Sequence, residues 1–171
     1  MKKVKLLLIT LLITASAAFA QKYGFVDTEY ILNNIPSYSA AQEKLDSFSE
    51  EWQKEVSEAY AAVEKMYKDY QNDEVLLSRE AKSQREEQII EREKEARELQ
   101  ESFFGVEGEL YKKREELIQP IQDEIYNAVK EIAVEGGYAV IFDTSSGMSM
   151  LYTNPKYDVS DEVLEKLGYK N

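Results

Sequence analysis

Residues 37–70 read SYSAAQEKLDSFSEEWQKEVSEAYAAVEKMYKDY, and this run decides the fold. It contains no proline or glycine, and its apolar side chains recur every three or four positions. Tyr38, Ala41, Leu45, Phe48, Trp52, Val56, Ala59, Val63, Met66 and Tyr70 fall on one face of a helix with 3.6 residues per turn. The step from Trp52 to Val56 is four where a strict heptad has three. Such a stutter locally unwinds a left-handed supercoil. Glu50 with Lys54, and Glu64 with Lys68, are spaced to pair along the flank.

The pattern fails between Gln71 and Leu77, where Asn72 and Asp73 favour a turn. Ser78 is placed to cap a second helix, with Glu80 in its first turn. Ile89, Ala96, Leu99, Phe103, Val106, Leu110, Leu117, Ile121, Ile125, Ala128 and Ile132 continue the seam. Residues 37–135 therefore read as an antiparallel helical hairpin, a coiled-coil arm. Arg85 and Arg92 sit where the seam calls for apolar residues. Gly105 and Gly108 weaken the descending helix, and Pro120 removes a backbone donor within it. These features are ordinary coiled-coil irregularity or built-in flexibility.

Outside the arm, residues 1–20 have the layout of an export signal. Lys2, Lys3 and Lys5 precede an apolar core from Leu6 to Ile13, and Ala18-Phe19-Ala20 is a cleavage site. The mature chain is expected to begin at Gln21. Lys22 to Asp27 reads as a strand, and Asp27 or Thr28 as the cap of a short helix. Ile35-Pro36 interrupts that helix, and Ser37 is placed to cap the long one. Gly136-Gly137 stops the last long helix. Tyr138 to Phe142 is a strand apolar on both faces, expected to be buried on both. After a turn at Thr144 to Gly147, Met148 to Tyr152 reads as a second strand forming a hairpin with it. Ser160 is expected to cap a final helix that turns Val163, Leu164 and Leu167 inward. Residues 21–36 and 136–171 thus form a small β/α body. So little core and so open a sheet predict an oligomer. The fold class is α+β and mostly α: a long arm on a small oligomerising β base.

Composition narrows the chemistry. The chain carries 21 basic and 33 acidic residues, a net charge of −12, and three of its lysines lie in the leader. Such a surface repels phosphate backbones, which argues against nucleic-acid binding. No second apolar stretch could insert stably in a membrane. With no histidine and no cysteine, triad catalysis, disulfides and zinc–thiolate sites are excluded. Asp27-Thr28 and Asp143-Thr144-Ser145 lack the glycines that an aspartic-protease dyad needs close behind. They read as turn and cap residues. Glu86-Glu87 and Glu91 form a solvated face rather than a calcium loop. No catalytic, cofactor or metal site is expected, and the chain is not read as an enzyme.

The order of these parts resembles the Skp/OmpH family of periplasmic chaperones. The likeness rests on Gly24-Phe25-Val26-Asp27-Thr28, Pro120-Ile121-Gln122, Gly137 through Asp143, Ser145-Ser146-Gly147, Leu151-Tyr152, Asp158-Val159-Ser160 and Val163 through Leu167. The resemblance implies a homotrimer whose strands join in a central body. Its arms would enclose unfolded outer-membrane β-barrel proteins in the periplasm without ATP. By that likeness, Phe25, Val26, Val140, Ile141, Phe142, Met150 and Tyr152 build the oligomerisation body. Aromatic residues off the main seam, Tyr60, Tyr67, Phe104 and Tyr111, are candidates for client contact, and packing within the hairpin is the plainer alternative for them. The family's best-known members are basic. Here residues 37–135 hold 14 basic and 26 acidic residues. No lipopolysaccharide patch is carried over, and capture is expected to rest on apolar and aromatic contact or on clients with basic segments. The competing reading is a structural coiled-coil spacer of the envelope that binds no client.

Overall fold

The computed structural model describes residues 21–147 and 150–169. The leader expected at 1–20 lies outside them. The chain forms two compact units: the described residues up to Asn34 together with those from Ile125 onward, and Ile35–Glu124.

In the first unit, β1 (Lys22–Val26) and β2 (Tyr138–Asp143) form a two-stranded parallel sheet. Parallel neighbours need a long crossover, and the helical region between them supplies it. Tyr23 pairs with Val140, Phe25 with Phe142, and Val26 with Asp143. The other edge of β1 is met by the segment after a short 3-10 turn at Pro155–Tyr157, where Val159 N–H donates to the Phe25 carbonyl at 2.9 Å. Gly24 is buried, and a Cβ there would lie 2.9 Å from the Tyr138 ring, so glycine lets that ring cross the sheet. Asp27 caps α1 (Thr28–Asn33) by accepting from the Tyr30 N–H at 2.9 Å. Helix α5 (Ser160–Lys166) packs on α1. Ile31, Val159, Val163 and Leu164 are the most completely buried side chains of this unit. Ser160 does not cap α5. It is the first residue of the helix, is itself buried, and its hydroxyl accepts from the Asp27 N–H at 2.9 Å while donating to Asp158 Oδ1 at 2.6 Å. Tertiary bonding has claimed the oxygen that a cap would use.

Two further expectations fail in this unit. Met150 to Tyr152, the described part of the expected third strand, is not extended into the sheet, and Leu151 is wholly exposed. Nor is β2 buried on both faces: Val140 is 42% exposed and no residue of the strand is fully buried. A single partner strand with no second layer cannot cover both faces of an apolar strand.

In the second unit, α2 (Pro36–Asp73) and α3 (Arg79–Phe104) form the hairpin. Every seam residue from Tyr38 to Tyr70 is buried or half-buried. Ser37 is not the cap of α2. Ile35 takes an extended backbone before proline, and Pro36 begins the helix, where its missing N–H costs nothing. The helix also runs through Asn72 and Asp73, because the seam holds Tyr70 in place. The reversal comes later, in a 3-10 turn at Glu74–Leu76, after which Ser78 caps α3 through the Ala81 N–H at 3.2 Å. Tyr70 locks this end: its hydroxyl donates to Glu86 at 2.5 Å, and that bond, aided by burial, pushes the phenol up to about 12. Glu64 pairs with Lys68 as expected, whereas Lys54 turns to Glu58 rather than Glu50.

The descending arm is not one helix. It breaks at residues 105–108, and α4 (Glu109–Gly136) begins beyond the break. Val106, expected in the seam, is 93% exposed because it lies in the break. The buried set resumes with Ile118, Ile121, Ile125, Ala128 and Ile132, a regular alternation of three and four. Pro120 is accommodated inside α4 without interrupting it.

Candidate functional site

The aromatic residues of the hairpin divide into two kinds. Phe48, Trp52 and Phe103 form a ladder between the helices, with ring centroids 5.3 and 5.0 Å apart and the Trp52 and Phe103 planes nearly parallel. The ladder sits at the stutter, where large flat rings fill the space that local unwinding opens. These are packing residues.

The four off-seam candidates differ in their surroundings. Tyr60 belongs partly to the hairpin itself: its hydroxyl donates to Gln100 Oε1 on α3 at 3.0 Å. Tyr67, two turns further along α2, is half exposed. Phe104 ends α3 and meets Phe103 edge-on at 6.4 Å. Tyr111, on the first turn of α4, donates to Glu115 at 3.0 Å, and that carboxylate raises its phenol pKa. The fold brings Phe104 and Tyr111 to one cleft beside the helix break, lined also by Val106, Leu110 and Arg114. Tyr60 and Tyr67 do not line it.

Sequence reasoning missed several exposed apolar side chains. Val75 and Leu76 stand at the reversal, 90% and 86% exposed, and Ile90 lies on the outer face of α3. The signal for Val75 and Leu76 was their place in the stretch where the seam fails. The polar members of that stretch, Asn72 and Asp73, mask the signal.

Of the expected body residues, Phe25, Val26, Val140, Ile141 and Phe142 lie in the sheet, and Met150 and Tyr152 lie outside it. Val26 is buried, Phe25, Ile141, Phe142 and Met150 are half-buried, and Val140 and Tyr152 are exposed. Phe142 stacks on Phe25 at 6.0 Å and on Tyr23 at 6.4 Å. Asp143 closes the end of β2. It accepts from the Thr28 N–H at 3.2 Å and hydroxyl at 2.8 Å, and from the Ser145 N–H at 3.0 Å and hydroxyl at 2.8 Å. Partial burial pushes its pKa up, but these four donors outweigh burial and hold it below the usual aspartate value of 3.8. This is a latch between β2 and the start of α1, as expected of a turn aspartate, and its neighbours are donors rather than a second acid.

Because the folded pKa is lowered, the latch contributes stability above about pH 4 and loses it as pH falls through the folded value. Asp143→Asn is therefore expected to lower the urea midpoint at pH 7, with the difference from wild type narrowing below pH 4. A difference that stays constant down to pH 3 contradicts this role for the carboxylate.

Among the described residues no helix is long and apolar enough to cross a membrane, and no cluster of acidic side chains is arranged to hold a metal ion. A long helical hairpin with a parallel two-stranded sheet, carrying exposed apolar side chains, defines the class by its fold: a coiled-coil arm on a small β base. The family described as outer membrane protein (OmpH-like) matches residues 22–167, and the chain belongs to that family. It is 27% identical over 165 residues to the chaperone protein Skp of Vibrio cholerae serotype O1, covering 89% of this chain and 86% of that one. An uncharacterized protein of Aquifex aeolicus is 26% identical over 153 residues, covering 90% of each chain. The crystal structure of an OmpH-like outer membrane chaperone from Caulobacter crescentus shares the fold, with a TM-score of 0.66 over 86% of this chain and 83% of that one at 12% identity.

Proposed function

We infer that the protein is an ATP-independent periplasmic holdase. Its clients are unfolded outer-membrane β-barrel proteins, held between the helical arms of an oligomer, a trimer by family likeness. The carrying observation is the set of exposed apolar side chains on a strongly charged hairpin, among them Tyr67, Val75, Leu76, Ile90 and Val106. Unfolded membrane strands expose alternating apolar side chains and unpaired edges, and they aggregate through both. Many weak apolar contacts on charged walls can hold such a chain without one fixed pose. The Skp relative, named a chaperone, supports the reading. A rigid spacer calls for an unbroken helix, and the break at 105–108 tells against it.

The test dilutes a urea-unfolded outer-membrane β-barrel protein into residues 21–171 across a ratio series and follows light scattering. Suppression that saturates near one oligomer per client is expected. No suppression at any ratio, for several clients, moves the assignment to the spacer.

A further inference from the structure

The break in the descending arm creates a feature that an unbroken helix lacks. The residues on either side of 105–108 wall an open cleft of about 240 Å³. Phe104, Val106, Leu110 and Tyr111 supply its apolar and aromatic surface, and Arg114 its charge. Val106 is 93% exposed and Tyr111 48%, so this surface faces solvent in the single chain. The glycines keep the break in shape. A Cβ on Gly105 would collide with the Glu101 carbonyl oxygen, and one on Gly108 would lie 2.7 Å from that of Phe103.

The charge pattern selects an occupant. Lys112 and Lys113 are neutralised by Glu109 and Glu116 at 2.8 and 2.6 Å. Arg114 makes no ion pair with any described residue. A planar guanidinium without a carboxylate partner, beside aromatic side chains, complements the face of another ring. The volume lies below the roughly 300–1,000 Å³ of pockets for whole drug-sized ligands, which suits one side chain. Beyond the cleft, Glu101 and Glu107 are exposed, and residues 37–135 carry 26 acidic against 14 basic residues. Residues flanking the captured ring therefore meet a negative surface.

We propose that this cleft receives one aromatic side chain of an extended, unfolded client, from a segment in which basic residues flank the ring. The proposal rests on the holdase reading and names what part of the client is recognised. Phe104 and Tyr111 form the apolar seat, and Arg114 lies against the face of the incoming ring.

Trp52 is the single tryptophan of the chain, and it stacks on Phe103, whose neighbour Phe104 lines the cleft. Its emission reports on the site. Tryptophan-free peptides carrying a lysine-flanked phenylalanine are titrated into residues 21–171 and compared with versions bearing alanine for phenylalanine or glutamate for lysine. The first is expected to bind roughly tenfold more tightly than either comparison peptide, the scale of one desolvated aromatic–cation contact. Arg114→Ala and Val106→Gln are expected to weaken that peptide roughly three- to tenfold and to leave the alanine peptide unchanged. Both are exposed positions, so circular dichroism should be unaltered. Equal affinity for the three peptides, or unchanged binding in both variants, overturns the cleft. Wild-type protein that suppresses client scattering but does not discriminate the peptides overturns the cleft and leaves the holdase standing. Discrimination without suppression of scattering upholds the cleft and removes the holdase.

Discussion

Leu164→Ala is expected to lower the stability of the sheet-containing unit by about 2–5 kcal/mol, the range for a buried leucine whose site cannot collapse. Leu164 is 2% exposed on α5, beside Val163 at 0% and near Val159 at 1%. This unit is small, and few other apolar side chains are as deeply buried in it. The lost methyl groups leave a cavity that neighbours held in a helix of about two turns cannot readily fill. With a urea dependence of roughly 1–3 kcal/mol per molar, the midpoint should fall by about 1 M or more at fixed protein concentration. A shift below about 0.3 M means that α5 is not a cornerstone of the unit.

Phe142→Asp is expected to convert the protein from an oligomer to single chains. Phe142 lies on β2, stacked on Phe25 and Tyr23, in a sheet of only two strands. Tyr23, Val140, Leu151 and Tyr152 remain 44%, 42%, 100% and 79% exposed in the single chain. A two-stranded sheet with uncovered apolar side chains is marginal alone, and partner copies in the proposed oligomer would cover them. A carboxylate among those rings would have to be buried unpaired at their interface, at a cost of several kcal/mol per copy. Light scattering on a sizing column gives the mass directly. The wild type should run as a multiple of the chain and the variant as one chain, with helical circular dichroism retained. The hairpin unit packs its own seam and does not depend on the sheet for its helicity. A variant that stays assembled places the subunit interface elsewhere.

The seam from Tyr38 to Tyr70 was legible because helical periodicity is a local property, and burial follows it residue for residue. Gly105 and Gly108 were also visible. Their consequence was not, because two glycines in a helical pattern can be absorbed or can break it. The choice depends on backbone approaches such as those to Glu101 and Phe103. The candidate site shows the same division. Phe104 and Tyr111 could be singled out as off-seam aromatics, but the break brought them together with Val106 and Arg114. Tyr60 could be singled out equally well, and its bond to Gln100 ties it partly to the hairpin.

Sequence alone determined the helical hairpin, the two strands bracketing it, the inward face of α5 and the absence of histidine and cysteine chemistry. Each follows from residue type, from spacing along the chain or from composition. The tertiary structure decided the parallel pairing of β1 with β2, the burial of Ser160 between Asp27 and Asp158, and the cleft at 105–108. These depend on which distant backbone groups meet. A carbonyl or N–H is chemically the same at every position, so its partner is selected by packing rather than by sequence spacing.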